Sequence, residues 1–126
     1  AMDYNLEISN LIINIANLAD ASRKLKVSEE SLQKHMYKRH HEKCLTYINK
    51  IPEIIENPDF VGRNKKISTR SFECIKRYRA DNILVAVKLE KRGEYYYVAS
   101  MYEVTDAKLN RMEQSNRVKR IDKFPS

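Results

Sequence analysis

Three histidines, His35, His40 and His41, stand close together in the first third of the chain, and Lys88, Ser100 and Tyr102 fall in two β-rich stretches further on. Imidazole is the side chain that titrates near neutrality, so it can both take a proton and give one. A neighbouring cation, Lys88 or Arg117, suits the task of stabilising charge that builds on a phosphate oxygen. Acid–base groups plus cations are what chemistry at a phosphodiester requires. The other routes to phosphate chemistry are poorly supplied. With only two glycines a glycine-rich phosphate loop is excluded. Neither a carboxylate cluster nor a cysteine/histidine set at metal-ligand spacing is present, which makes a metal nuclease the remote option. Cys44 and Cys74 read as reduced structural thiols.

These residues act together only if the elements carrying them allow it. Ser28-Glu29-Glu30-Ser31 is a helix start, with Ser28 as N-cap and carboxylates in the first turn. That helix should run through Leu32 and Met36 to about Arg39. On one unbroken helix His35 and His40 would sit about 140° apart round the axis, so they would not share a face. A helix that ends near Arg39 favours His40, at the terminus, as the proton-transfer group, with His35 as the second candidate and His41 as a solvated neighbour.

Residues 82–104 read as a β-hairpin, with Ile83, Val85, Val87 and Leu89 alternating and Gly93 in the polar break. A lysine inside such a strand either snorkels to water or belongs to a site. Parity separates the two. A two- or four-residue loop pairs Leu89 with Tyr96 and sets Ser100 opposite Val85, away from Lys88. A three-residue loop, Lys91-Arg92-Gly93, pairs Lys88 with Tyr96 and puts Lys88, Ser100 and Tyr102 on one face. Glycine at the third loop position favours the three-residue loop. Tyr95, Tyr96 and Tyr97 are more often sheet packing than platforms for bases.

Elsewhere, Ile8, Leu11, Ile12, Ile15, Leu18 and Ala19 predict an amphipathic helix over residues 3–22, followed by a basic linker from Ser22 to Lys26. Leu45, Ile48 and Ile51 continue a helical pattern, and Pro52 opens a short helix to Asn57. Phe60 and Val61 begin a strand, residues 70–79 alternate as another, Thr105 caps a last helix, and the tail from Arg117 to Ile121 is a strand or an extended arm. Helices first and antiparallel strands afterwards mean α+β. We divide the chain into an N-terminal helix and linker over 1–26, with Ala1 an addition before a start methionine, and one folded domain over 27–126.

The net charge of +7 is concentrated. Residues 1–30 carry three basic and five acidic groups, whereas 31–51, 63–79 and 111–126 balance at +4, +6 and +3. Basic blocks interspersed with tyrosines suit a polyanion such as RNA, and equally a solvated surface kept for solubility. No apolar run approaches the roughly 20 residues that span a bilayer, no signal peptide opens the chain, and no membrane partner is expected.

Five blocks carry a resemblance. His35-Met36-Tyr37-Lys38-Arg39-His40 and Ile51-Pro52-Glu53-Ile54-Ile55-Glu56-Asn57-Pro58-Asp59 resemble the helical entry of the phage–barnase–EndoU–colicin–RelE-like nucleases (the BECR fold). Ser71 to Tyr78, Asn82 to Leu89 and Val98 to Glu103 are similar to their sheet. The resemblance covers about residues 27–121 and leaves the first helix unexplained. It implies α+β architecture with N-terminal helices on a four-stranded antiparallel sheet. It also implies a metal-independent, cofactor-free ribonuclease of the toxin or phage-protein kind, acting on tRNA or mRNA in the cytoplasm, delivered there in some cases as part of a larger protein. A cognate immunity or antitoxin protein is the implied partner, and the first helix is where an oligomer would form. Two positions depart from the pattern. His41 stands where a helix-terminating residue is expected, and Asn116 where the family carries glycine in a Ser-Gly-Arg turn. Asparagine tolerates positive φ, so the turn should survive.

Metal-free RNA cleavage needs a base for the 2′-hydroxyl, an acid for the leaving 5′-oxygen and a cation for the phosphorane. The catalytic candidates are His40, Lys88, Ser100, Tyr102 and His35. Lys38, Arg39, Arg77, Arg79, Arg117, Lys119 and Arg120 are candidates for binding RNA phosphates. The alternative is a non-catalytic RNA- or protein-binding module with the same fold.

Overall fold

The computed structural model describes residues 3–18, 23–39, 42–64, 66 and 70–123. Its strands are β1 (Asp3–Glu7), β2 (Lys24–Ser28), β3 (Phe60–Gly62), β4 (Ser71–Arg77), β5 (Asn82–Leu89), β6 (Tyr96–Val104) and β7 (Val118–Arg120). The helices are α1 (Asn10–Ala16), α2 (Glu29–Lys38), α3 (Ile51–Glu56) and α4 (Asp106–Gln114), with a 3-10 helix over Glu42–Lys50. The architecture is α+β, as expected.

The sheet departs from expectation. It has seven strands in the order β1-β2-β6-β5-β4-β3-β7, where four were expected. It is mixed rather than antiparallel, because β2 runs parallel to β6 through Leu25↔Tyr96 and Lys26↔Tyr97. The helix expected over 3–22 is also corrected. Asp3–Glu7 is a strand paired with β2, and α1 starts only where the Ser9 side chain accepts from the Ile12 N–H. Asn17, at φ 58, ends it in the left-handed conformation that asparagine tolerates. Tyr4 and Leu6 lie inside the span expected as helix but outside its apolar stripe, and they alternate with polar Asp3, Asn5 and Glu7 at period two. The expected linker up to Lys26 contains the start of β2, whose Leu25 and Val27 are buried between exposed lysines.

Both faces of the sheet are covered, by helices on opposite sides. One core gathers Ile12 and Ala16 from α1, Leu32 and Met36 from α2 and Ile51, Ile54 and Ile55 from α3. They pack with Phe72, Cys74, Val85, Val87, Tyr96 and Met101 from the central strands. The second core sets Leu109 and Met112 of α4 against Phe60, Ile75, Leu84, Val104 and Val118. Burying each such α4 side chain is worth about 1.5–3 kcal/mol. The second core covers only part of its face. Toward Lys88 and Ser71 that face is polar, and there the candidate site lies.

Local chemistry sets the helix ends. Ser28 caps α2 through the Ser31 N–H, and Thr105 caps α4 through the Lys108 N–H. At the end of α4 the Asn116 N–H bonds to Glu113 O and the Arg117 N–H to Met112 O, with Asn116 at φ 62. This is a Schellman motif closed by asparagine instead of glycine. It delivers the chain straight into Arg117.

Candidate active site

The hairpin does not have the expected loop, yet it has the expected face. Leu89 pairs with Tyr96 and Lys88 with Tyr97, the register of a four-residue loop, Lys91 to Glu94. The Gly93 N–H closes that loop onto Glu90 O, and Gly93 takes φ 75. So the glycine is used for its left-handed conformation, in a loop one residue longer than expected. That register alone would send Ser100 to the far side. It does not, because the pairing shifts from Val87↔Val98 to Ala86↔Ser100, leaving Ala99 as an extra residue in β6. A bulge of this kind re-aims every later side chain of its strand. Ser100 and Tyr102 then stand opposite Ala86 and Leu84, on the same face as Lys88.

β2 leaves the edge of β6 after Tyr97, and α2 packs against β6. This brings the imidazole of His35, half-buried, to Ser100, with Nε2 3.2 Å from Oγ. Leu32 and Met36, on the buried side of the same helix, hold the ring there. His35, the second candidate by sequence, is therefore the described histidine that meets the site. α2 ends at Lys38 with Arg39 as its C-cap, so the helix stops where expected. His40 and His41 lie outside the described residues.

Across the sheet, Ser100, Ala86, Glu73 and Gly62 form one row of partners on β6, β5, β4 and β3. Glu73 is only 4% exposed and is held by Arg117 through two bonds, Nη2 to Oε1 at 2.6 Å and Nε to Oε2 at 3.1 Å. Burial by itself would lower the Arg117 pKa, but the hydrogen bonds and charge of Glu73 outweigh it and the pKa is raised. Guanidinium has five N–H donors; Glu73 takes two of them and Tyr102 a third, which leaves two for another acceptor. Tyr102, half-buried beside Arg117, has its phenol pushed up by burial first and by the Glu73 charge second, against the opposing pull of Arg117. It stays protonated at neutral pH and remains a donor.

Gly62 makes this placement possible. A Cβ there would stand 1.8 Å from the carbonyl oxygen of Arg117, and the Arg63 N–H bonds to that same oxygen at 3.0 Å. Only glycine permits β7 to come this close to β3.

Lys88, partly buried, completes the face between Tyr97 and Ser71. Of the residues expected to bind phosphate, Arg117 alone is in this group. Lys38 and Arg39 are exposed at the end of α2. Arg77 is four residues along β4 from Glu73, about 13 Å away at strand rise, and it is occupied by Asp106 and Asn82. Arg79 is exposed beyond the end of β4. Arg120 is bound to Glu113 and lies over Phe60, and Lys119 is next to Val118 in β7 and so faces the other way. Sequence reasoning missed two residues. Glu73 offered the same signal as Lys88, a charge at a strand position between apolar neighbours. Tyr97 is 37% exposed opposite Lys88 and does not serve the core.

A proton carrier hydrogen-bonded to a hydroxyl, a protonated phenol, a guanidinium with free donors and an ammonium therefore share one open face. Such a set can move a proton and stabilise a developing oxyanion. Among the described residues no three His, Cys, Asp or Glu side chains converge as metal ligands, and no helix is long and apolar enough to cross a membrane. A sequence-family model described as phage-Barnase-EndoU-ColicinE5/D-RelE like nuclease 3 matches residues 7–111, ending before Arg117. No curated protein and no solved structure matches the chain.

Proposed function

The chain belongs to the phage-Barnase-EndoU-ColicinE5/D-RelE like nuclease 3 family, and on that premise we propose that it is a metal-independent endoribonuclease. The observation that carries this reading is His35 Nε2 at 3.2 Å from Ser100 Oγ, on the sheet face shared with Arg117. In the proposed reaction the 2′-oxygen attacks the adjacent phosphorus as its proton passes to a base. The bond from phosphorus to the 5′-oxygen breaks as an acid protonates that oxygen. The products are a 2′,3′-cyclic phosphate and a 5′-hydroxyl, and the nucleophile restricts the substrate to RNA.

His35 takes one proton-transfer role, oriented by Ser100, and His40, just past the end of α2, takes the other. Arg117 and Lys88 neutralise the phosphorane, and the Tyr102 phenol donates to one of its oxygens. We place the activity in a toxin-like setting, cutting tRNA or mRNA in the cytoplasm and restrained by a cognate immunity or antitoxin protein.

Incubation with tRNA and mRNA in excess chelator tests the proposal. Cleavage should persist, leave cyclic phosphate ends, and fail at a linkage whose 2′-hydroxyl is replaced by hydrogen. Activity abolished by chelator would overturn the metal-free mechanism. Tight RNA binding without cleavage would favour a binding module.

A further inference from the structure

A second feature adjoins this site. Between α4 and the residues Asn64 and Lys66 runs a cavity of about 450 Å³, bordered by Lys66, Lys108, Arg111 and Arg117 and also lined by Met112. Lys108, Arg111 and Ser115 are three and four residues apart, so they form one stripe along the helix. No carboxylate lines the cavity. Lys66, Lys108 and Arg111 make no ion pair among the described residues, whereas Arg77, Arg120 and Lys123 are each matched to an acid. Cations gathered without counter-charges repel one another, and an external polyanion relieves that repulsion.

Position decides which polyanion. Arg117 borders both this cavity and the candidate active site, and Lys108 Nζ stands 5.5 Å from the ring centre of Tyr102. The cavity is therefore continuous with the place where a phosphate would react. We propose that it is a backbone subsite, in which Lys66, Lys108 and Arg111 bind phosphates of the single-stranded RNA flanking the cleaved linkage. The inference rests on the nuclease reading for its substrate. It adds residues that neither the histidines nor the strand lysine reveal. Contacts of this kind set affinity and register and carry no sequence information.

The test is the double variant Lys108→Gln/Arg111→Gln, both positions being exposed on α4 and glutamine being a good helix former. Binding of a 2′-O-methyl RNA oligonucleotide, which cannot be cleaved, is measured over a range of salt concentrations. Removing two phosphate contacts should reduce the slope of log affinity against log salt by about 1.4. On cleavable RNA the loss should fall in KM rather than in kcat, and Lys108→Arg/Arg111→Lys should restore both. An unchanged slope in a variant with wild-type thermal unfolding overturns the subsite, even if the wild type cleaves RNA. A wild type that cleaves nothing, with the slope still reduced in the variant, supports the subsite and sinks the nuclease reading. Loss of polyglutamate binding with RNA binding unaffected assigns the groove to an acidic protein segment and overturns the inference.

Discussion

His35 and Ser100 are 65 positions apart in the chain, and their side chains meet at 3.2 Å. Two devices produce that contact. β2 withdraws from the edge of β6, which leaves room for α2, and the extra residue Ala99 turns Ser100 toward the face of Lys88. If this pair moves protons, His35→Ala should lower kcat on RNA by about 10²–10⁴ while affinity for uncleavable RNA changes little. Ser100→Ala, which removes only the orienting hydroxyl, should cost less and alter the pH profile. His40→Ala and Lys88→Ala should likewise reduce turnover far more than binding. Steady-state kinetics beside equilibrium binding make the comparison. Equal losses in both would mean that these residues only attract phosphate.

The Arg117–Glu73 pair makes a separate prediction. Glu73 is buried and its carboxylate has Arg117 as its ionic partner, so Arg117→Met leaves a buried charge uncompensated. The expected loss is about 3–5 kcal/mol of stability. Glu73→Gln/Arg117→Met should be more stable than Arg117→Met alone, because it removes the stranded charge as well. Both variants should be inactive. Denaturant unfolding of the four members of the cycle checks this, and additive losses would show that the pair is not coupled.

Much of this geometry could be read in the residues. The Ser28 cap, the end of α2 near Arg39 and the hairpin follow from capping chemistry and strand period, whereas the shared face of Lys88, Ser100 and Tyr102 was expected from a three-residue loop that the structure lacks. The positive φ of Asn116 was expected from the resemblance, in which a glycine holds that turn. The route to the shared face could not be read. A four-residue loop and a bulge at Ala99 yield the same parity as a three-residue loop, and nothing in Val98-Ala99-Ser100 announces an extra residue. β1 and β2 were obscured because five residues give too few alternations to outweigh a neighbouring helical stripe. The parallel pairing of β2 with β6 is a tertiary choice that no local pattern records. Glu73 was passed over because its partner, Arg117, is 44 positions away and only the fold joins them.

Gly62 and Asn116 place Arg117 from opposite sides, so they predict opposite responses. Gly62→Ala drives a Cβ into backbone rather than into a flexible side chain. It should cost about 2–3 kcal/mol or more and reduce RNA cleavage by displacing Arg117. Asn116→Gly keeps the left-handed turn and should leave stability within about 1 kcal/mol of wild type, with activity retained. Thermal unfolding and cleavage assays on both variants decide. A well-folded, fully active Gly62→Ala protein would show that β7 need not approach β3 so closely.

The last prediction concerns acid. Asp59 ties β7 to the sheet: its carbonyl accepts from the Ile121 N–H, and its carboxylate binds Lys123 Nζ at 2.7 Å and the Arg77 N–H at 2.6 Å. Burial would raise its pKa, but the bonds from Lys123 and Arg77, with the charges of Lys123 and Lys76, together lower it. A carboxyl whose folded pKa lies below its unfolded value, about 3.9, contributes stability above that unfolded value. The contribution disappears as pH falls through the folded pKa. Wild type should therefore exceed Asp59→Asn in unfolding free energy by the most near neutral pH, and the gap should narrow below about pH 4. Urea unfolding of both proteins from acid to neutral pH measures it. A gap that stays constant across that range would mean that Asp59 acts through its shape and neutral hydrogen bonds rather than through its charge.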